Sequence, residues 1–153
     1  MRHPAPHAET GAPICTHTTL GTRGLEQLEI FKSFGVDLSR VVLSHIDLSA
    51  NLDYMKRLLD QGSTLRSTPS ASATTSDVSR ADWLSRLCAE GYDTQIVMSM
   101  DITRRSNFAD RGGVGYSYLL DTFAPLASEA GVPDRAWENL LYCNALRIYK
   151  GQK

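Results

Sequence analysis

The chain has 153 residues, 42% of them hydrophobic and 22% charged, with a formal charge of −1. That is one domain of ordinary composition, long enough to bury a real core, and its near-neutral charge excludes a broad electrostatic pull toward nucleic acid or anionic membrane. No apolar stretch approaches the ~20 residues of a membrane helix and the first residues lack the apolar core of a signal peptide, so the expectation is a cytoplasmic chain with no nucleic-acid and no membrane partner.

Residues 1 to 10 read as a loose lead-in. His3 and His7 sit four apart, a spacing that would face one metal on a helix. Pro4 and Pro6 argue against that helix, so both histidines are expected to be solvated. A first strand is expected from about Pro13 to Thr18, followed by a turn bracketed by Gly21 and Gly24. From Arg23 to Phe34, Leu25, Leu28, Phe31 and Phe34 recur every three residues with Ile30 alongside, the pattern of an amphipathic helix that Gly35 stops. Val41 to Ser44 is an aliphatic run without alternation, which suits a strand covered on both faces, as in a parallel sheet. Asn51 is placed to cap the next helix, whose apolar positions Leu52, Met55, Leu58 and Leu59 fit a 3.6-residue period. Gly62 ends it.

A third strand begins at Ser63-Thr64-Leu65, and then the pattern falters. Arg66 to Ser76 is small, polar and almost free of core residues. It reads either as a flexible surface loop or as a short reading-frame slip in the source gene. For Arg66 through Thr75, codons exist whose shifted frame spells Val-Asp-Thr-Ile-Gly-Ile-Gly-Asn-Asn, a better strand and loop. Ser79 and Asp82 form a capping-box pattern for a helix with Trp83, Leu84, Leu87 and Cys88 inward and Gly91 at its end. The Gln95 to Asp101 segment is the last strand. Arg111-Gly112-Gly113-Val114-Gly115-Tyr116 matches neither phosphate-binding glycine pattern and suggests a mobile loop over a site. Tyr118 to Ala130 reads as a helix interrupted near Pro125, and Asp134 is expected to cap a last helix carrying Ala136, Trp137, Leu140 and Leu141. Cys15, Cys88 and Cys143 are an odd number without CxxC spacing, the signature of reduced, buried small hydrophobes. Arg104-Arg105 beside an acidic site suits local salt bridges or a substrate contact.

Three of these apolar segments deliver a metal-ligand residue type at their C-terminal ends: His17, His45 and Asp101. Twenty-eight residues separate the first two and 56 the second pair. One βα unit takes roughly 30 residues, so the spacing is one unit and then two. Parallel strands would bring the three side chains to one sheet edge, where α/β folds carry their chemistry. Two neutral imidazoles and a carboxylate suit a divalent metal: zinc, manganese, iron or cobalt. Such an ion would lower the pKa of bound water toward ~7, and Asp101 could take the proton.

At these residues the chain resembles the phosphotriesterase-like proteins of the amidohydrolase superfamily. Gly11 to Thr18, Val41 to Asp47 and Ile96 to Asp101 look like the fifth, sixth and eighth strands of that family, and the Gly112 to Tyr116 loop and Asn144 also match. The resemblance covers nearly all of residues 10 to 149. It implies an α/β chain forming the C-terminal half of a (β/α)8 TIM-type barrel, with residues 11–150 as a partial metal-dependent hydrolase domain. The implied substrate is a small ester, lactone or phosphoester. His17 and His45 would hold one metal, zinc first among the choices, and Asp101 would bind a second and act as the catalytic base. The family also uses a His-x-His pair from its first strand and a bridging lysine or glutamate from its fourth. Neither motif occurs in a matching place, so the second site is expected to be incomplete. Ser44 stands where the family usually has glycine, and Ala145 where it usually has proline. A whole barrel takes ~250 residues, so the expectation includes activity only with an N-terminal half, or a partner chain or homo-oligomer covering an open sheet edge. The alternative is a non-catalytic half-barrel remnant or interaction subunit.

Overall fold

A computed structural model of the chain describes residues 6–69 and 75–150. The apolar runs become a four-stranded, all-parallel sheet in the order β1-β2-β3-β4: Ile14–His17, Val41–Ser44, Thr64–Ser67 and Ile96–Met98. Cys15 lies opposite Val42 and His17 opposite Ser44, while Ser44 faces Arg66 and Arg66 faces Val97. Every residue of β2 is buried, as its unbroken aliphatic run requires, whereas edge strand β1 alternates between half-buried and exposed positions.

Helices alternate with the strands. They are α1 (Pro6–Thr10), α2 (Gly24–Ser33), α3 (Leu52–Leu59), α4 (Asp77–Ala89), α5 (Ala124–Glu129), α6 (Asp134–Glu138) and α7 (Asn144–Lys150). The core joins the helix residues Leu28, Met55, Leu58, Leu84, Leu87 and Phe123 to the strand residues Val41, Leu43, Leu65 and Ile96. Burial of each large aliphatic or aromatic side chain contributes on the order of 1.5–3 kcal/mol. Asn51 caps α3 as expected, its Oδ1 accepting the Tyr54 N–H at 2.9 Å. Tyr54 in turn accepts the Gly24 N–H at 2.6 Å, which locks α2 against α3. Asn144 donates from Nδ2 to the carbonyls of Asp93 and Ile96, both at 2.7 Å, and so fastens α7 to the entry of β4.

Several expectations need correction. Pro6 opens α1 instead of breaking it, because the first helical position has no N–H obligation. His7 is buried, with Nδ1 2.6 Å from the Ala12 carbonyl oxygen, rather than solvated; His3 lies outside the described residues. On α2, Ile30 and Phe34 are exposed. Each three-residue step falls about 60° short of a full turn, so the stripe that buries Leu28 has rotated outward by Phe34.

β3 continues two residues past Leu65, to Ser67, while residues 70–74 of the Arg66 to Thr75 span read as a frame slip lie outside the described residues. The cap of α4 is Ser76, not Ser79: the Ser76 Oγ accepts the Ser79 N–H at 3.2 Å, which makes Ser79 the third helical residue. β4 ends at Met98, and Gln95 belongs to a preceding 3-10 turn. The expected interruption near Pro125 takes the form of a change of helix type, with Pro125 in the first turn of α5. The proline's missing N–H is absorbed by a π-turn over Leu119–Phe123, closed by the Ala124 N–H on the Leu119 carbonyl. Pro133, not Asp134, is the cap of α6, which runs through a second π-turn, Asn139–Cys143, into α7.

The glycine-rich loop packs closely on the segment before it: a Cβ on Gly113 would lie 2.3 Å from the Asn107 carbonyl carbon, and the Gly115 N–H donates to the Asn107 carbonyl at 2.9 Å. Only Cys88 of the three cysteines is fully buried, and burial pushes its thiol up to about 12; Cys15 is exposed and Cys143 half-buried. No helix among the described residues is long and apolar enough to cross a membrane.

Candidate active site

The C-terminal ends of the strands open into a cavity of about 500 Å³ whose lining includes His17, His45, Thr68, Arg80 and Asp101. His17 is the last residue of β1, and His45 follows β2 directly. Asp101 lies three residues beyond β4, because the ladder continues through the Ser99 N–H, which donates to the Ser67 carbonyl at 3.0 Å, and then breaks away.

The backbone at the rim is left-handed where it turns. His45 has φ 65° and Asp101 φ 48°, and Leu20, also lining the cavity, has φ 52°. Such conformations cost roughly 1–2 kcal/mol in non-glycine residues and gather where side chains must be aimed. Beneath them Gly21, at φ +70°, fills a place no side chain could take: a Cβ there would lie 2.4 Å from the Ser49 backbone nitrogen.

The three predicted residues come together. The His17 and His45 rings meet edge to face, with centroids 4.8 Å apart. The Nε2 of His45 lies 3.9 Å from Oδ2 of Asp101. On the other side of the ring, Nδ1 of His45 is 3.1 Å from the Thr68 hydroxyl. The His45 N–H donates to the Arg66 carbonyl at 3.2 Å, and the Thr18 hydroxyl donates to the Ser44 carbonyl at 2.7 Å, tying the ends of β1, β2 and β3 together. Burial holds His45 below the ordinary histidine range, against an upward pull from Asp101. The 3.9 Å approach is therefore that of a neutral imidazole to a carboxylate, not an ion pair, at neutral pH.

A neutral imidazole whose second nitrogen is held by a hydroxyl suits a metal ligand. Two donors on one tetrahedral ion stand about 3.3 Å apart, given bonds of about 2 Å, so His45 and Asp101 need only a small approach. The set is nonetheless partial. Among the described residues, no group of three or more His, Cys, Asp or Glu side chains is disposed to hold a metal as it stands. Arg104 lies exposed along the cavity wall and Arg105 is exposed beside it.

Sequence reasoning missed Thr68, Asp47 and Arg80. The Asp47 carboxylate is buried, receiving the Nε–H of Arg80 at 2.8 Å, and burial pushes its pKa up despite that partner. A charged residue two places after His45, within an otherwise apolar turn, was the available signal. Ser44, in place of the usual glycine, has a buried hydroxyl with no hydrogen-bond partner.

Comparison with known proteins supplies the context. The phosphotriesterase family model matches residues 3–149. The phosphotriesterase homology protein of Escherichia coli is 43% identical over 126 residues, covering 82% of this chain and 43% of the relative. A crystal structure of that Escherichia coli protein, complexed with phosphate in its active site, superposes with a TM-score of 0.83 at 39% identity over 88% of this chain and 47% of that one. A lactonase from Listeria monocytogenes superposes with a TM-score of 0.87 at 26% identity, covering 96% of this chain and 47% of that one. The chain spans about half the length of the relatives it matches, and its alternating parallel sheet is consistent with part of their TIM barrel.

Proposed function

The chain belongs to the phosphotriesterase family, and from that premise we propose that it is the C-terminal half of a metal-dependent hydrolase acting on an ester, lactone or phosphoester. Members of the family are hydrolases, lactonases and N-acetyltaurine hydrolases among them, and the family is generally metal-dependent. What carries the reading is the meeting of His17, His45 and Asp101 at one rim, with ring centroids 4.8 Å apart and a 3.9 Å gap from His45 to Asp101.

In this reading His17 and His45 would hold a divalent ion through their ring nitrogens, and Asp101 would contribute an oxygen. The donor set favours zinc. When bound, the ion lowers the pKa of water toward ~7 and so supplies a nucleophile at neutral pH. Asp101, which lines the cavity, would be placed to take up a proton from such a water. With His45 neutral, the tautomer that carries its proton on Nδ1, toward Thr68, would leave a lone pair on the nitrogen facing Asp101. The remaining donors of a two-metal site come from a complementary half-barrel docked along the sheet edges, so turnover requires that half.

Metal analysis of the purified chain beside His17→Ala and Asp101→Ala tests the site: about one zinc in the parent and less in both variants is expected, and equal content in all three removes it. Lactone or phosphotriester turnover should then appear only on co-expression with an N-terminal half-barrel from a family member.

A second reading, a non-catalytic interaction subunit, draws on one observation. β1 and β4 each leave one side of the ladder unpaired among the described residues. Binding of that N-terminal half without turnover would favour it.

A further inference from the structure

Arg80 connects three segments around the cavity. It projects from the start of α4 with its side chain 2% exposed. Its Nε–H donates to Asp47 at 2.8 Å, and its Nη1 donates to the Thr75 carbonyl at 2.7 Å and to Asp77 at 2.8 Å. The Tyr118 hydroxyl donates to the other Asp77 oxygen at 2.7 Å. One guanidinium thus joins the turn after β2, the segment leading into α4 and, through Asp77, the chain that follows the β4 loop.

We infer that Arg80 is a positioning residue of this site: by gripping Asp47 it fixes the His45-Ile46-Asp47 turn and thereby aims His45 at Asp101. The inference rests on reading His45 and Asp101 as ligands. Three observations support it. His45 sits at φ 65°, a conformation that has to be imposed from outside, and beyond its own bond to Thr68 the next anchored side chain in that turn is Asp47. The second Asp47 oxygen is buried without a hydrogen-bond partner, so Arg80 holds the carboxylate by one oxygen. A buried ion pair is also a poor source of stability, because apolar residues of similar volume commonly do as well or better. The geometry that the pair enforces is the better account of it. Although Arg80 borders the cavity, three of its five N–H donors are committed to protein acceptors, which ties the guanidinium to the fold.

The test compares the full-length chain with Arg80→Met, Arg80→Lys and the double variant Asp47→Leu/Arg80→Met. Cobalt(II) affinity and amide hydrogen exchange over residues 45–50 are measured along with the unfolding midpoint. Arg80→Met strands the Asp47 charge and should destabilise. The double variant removes that charge and should recover the midpoint, with Asp77 still held by Tyr118. Its cobalt affinity should nevertheless remain about 10- to 100-fold weaker than the parent, and its turn should exchange about tenfold faster. Parental affinity and exchange in the recovered double variant would make Arg80 a structural staple and overturn the inference. If the double variant does not fold, Arg80→Lys decides on the same two readouts, because it keeps the charge and loses the planar fork. Failure of the parent to bind cobalt sinks the metal reading instead, and the exchange comparison alone then decides whether Arg80 orders the turn.

Discussion

His45 and Asp101 stand 3.9 Å apart, yet the molecule holds them in different ways. The His45 side chain is 9% exposed and that of Asp101 44%. The imidazole follows a fully buried strand and is tied through its backbone to Arg66, through its ring to Thr68 and through its turn to Arg80. The carboxylate rides three residues beyond a strand of only three. One half of the site is built into the core, and the other is presented by a loop. Chemistry that needs a fixed ligand and an adjustable base suits such a division.

Core truncation under His45 should give the largest effect. Leu43→Ala should cost about 2–5 kcal/mol, read as a lower urea midpoint at unchanged slope. A loss below 1 kcal/mol would mean that the β2 side of the site is no better anchored than the Asp101 side. Gly21→Ala comes next, because a new Cβ would meet the Ser49 and Ile46 backbone at 2.4 and 2.7 Å in a left-handed residue. About 1–3 kcal/mol is expected by the same measurement, and a parental midpoint would show that the rim floor can shift.

Acidification should produce a smaller loss confined to the buried half. The folded pKa of His45 is held below its unfolded value, so the unfolded chain takes up the proton first. Stability is full above about 6.5 and falls as pH drops from there through the folded value. His45→Gln should flatten that part of the pH profile, and an unchanged profile would assign the titration elsewhere. Smallest of all, Asp101→Asn should leave stability within about 0.5 kcal/mol, since asparagine accepts the left-handed backbone, while metal content falls. A large stability loss there would erase the contrast between the two halves.

The sequence made the buried half easier to read than the exposed one. Val41 to Ser44 and the 3.6-residue pattern of Leu52, Met55, Leu58 and Leu59 report burial directly, because the sheet and core decide those residues. The approach of His17, His45 and Asp101 followed from βα spacing alone. What escaped was set by single hydrogen bonds. Ser76 and Ser79 are equally good caps on paper, and only the chain path decides which oxygen meets which N–H. Pro6 and Pro125 look like helix breakers until a first-turn position and a π-turn accommodate them. Arg80 reads as one more surface cation in an amphipathic helix, since no local pattern announces that Asp47 and the Thr75 carbonyl, both distant or outside the helix, will receive it.

The sheet's two margins carry their own consequence. Among the described residues the outer sides of β1 and β4 have no strand partner, so their peptide groups are spaced to accept a neighbour about 4.8 Å away, and Pro13, just ahead of β1, withholds a donor only at its own position. Rows of that kind are poor judges of company, since they will join nearly any extended segment that comes close enough. On the half-barrel proposal, the segment that first pairs with those margins would decide whether the sheet closes into a ring or associates with other copies.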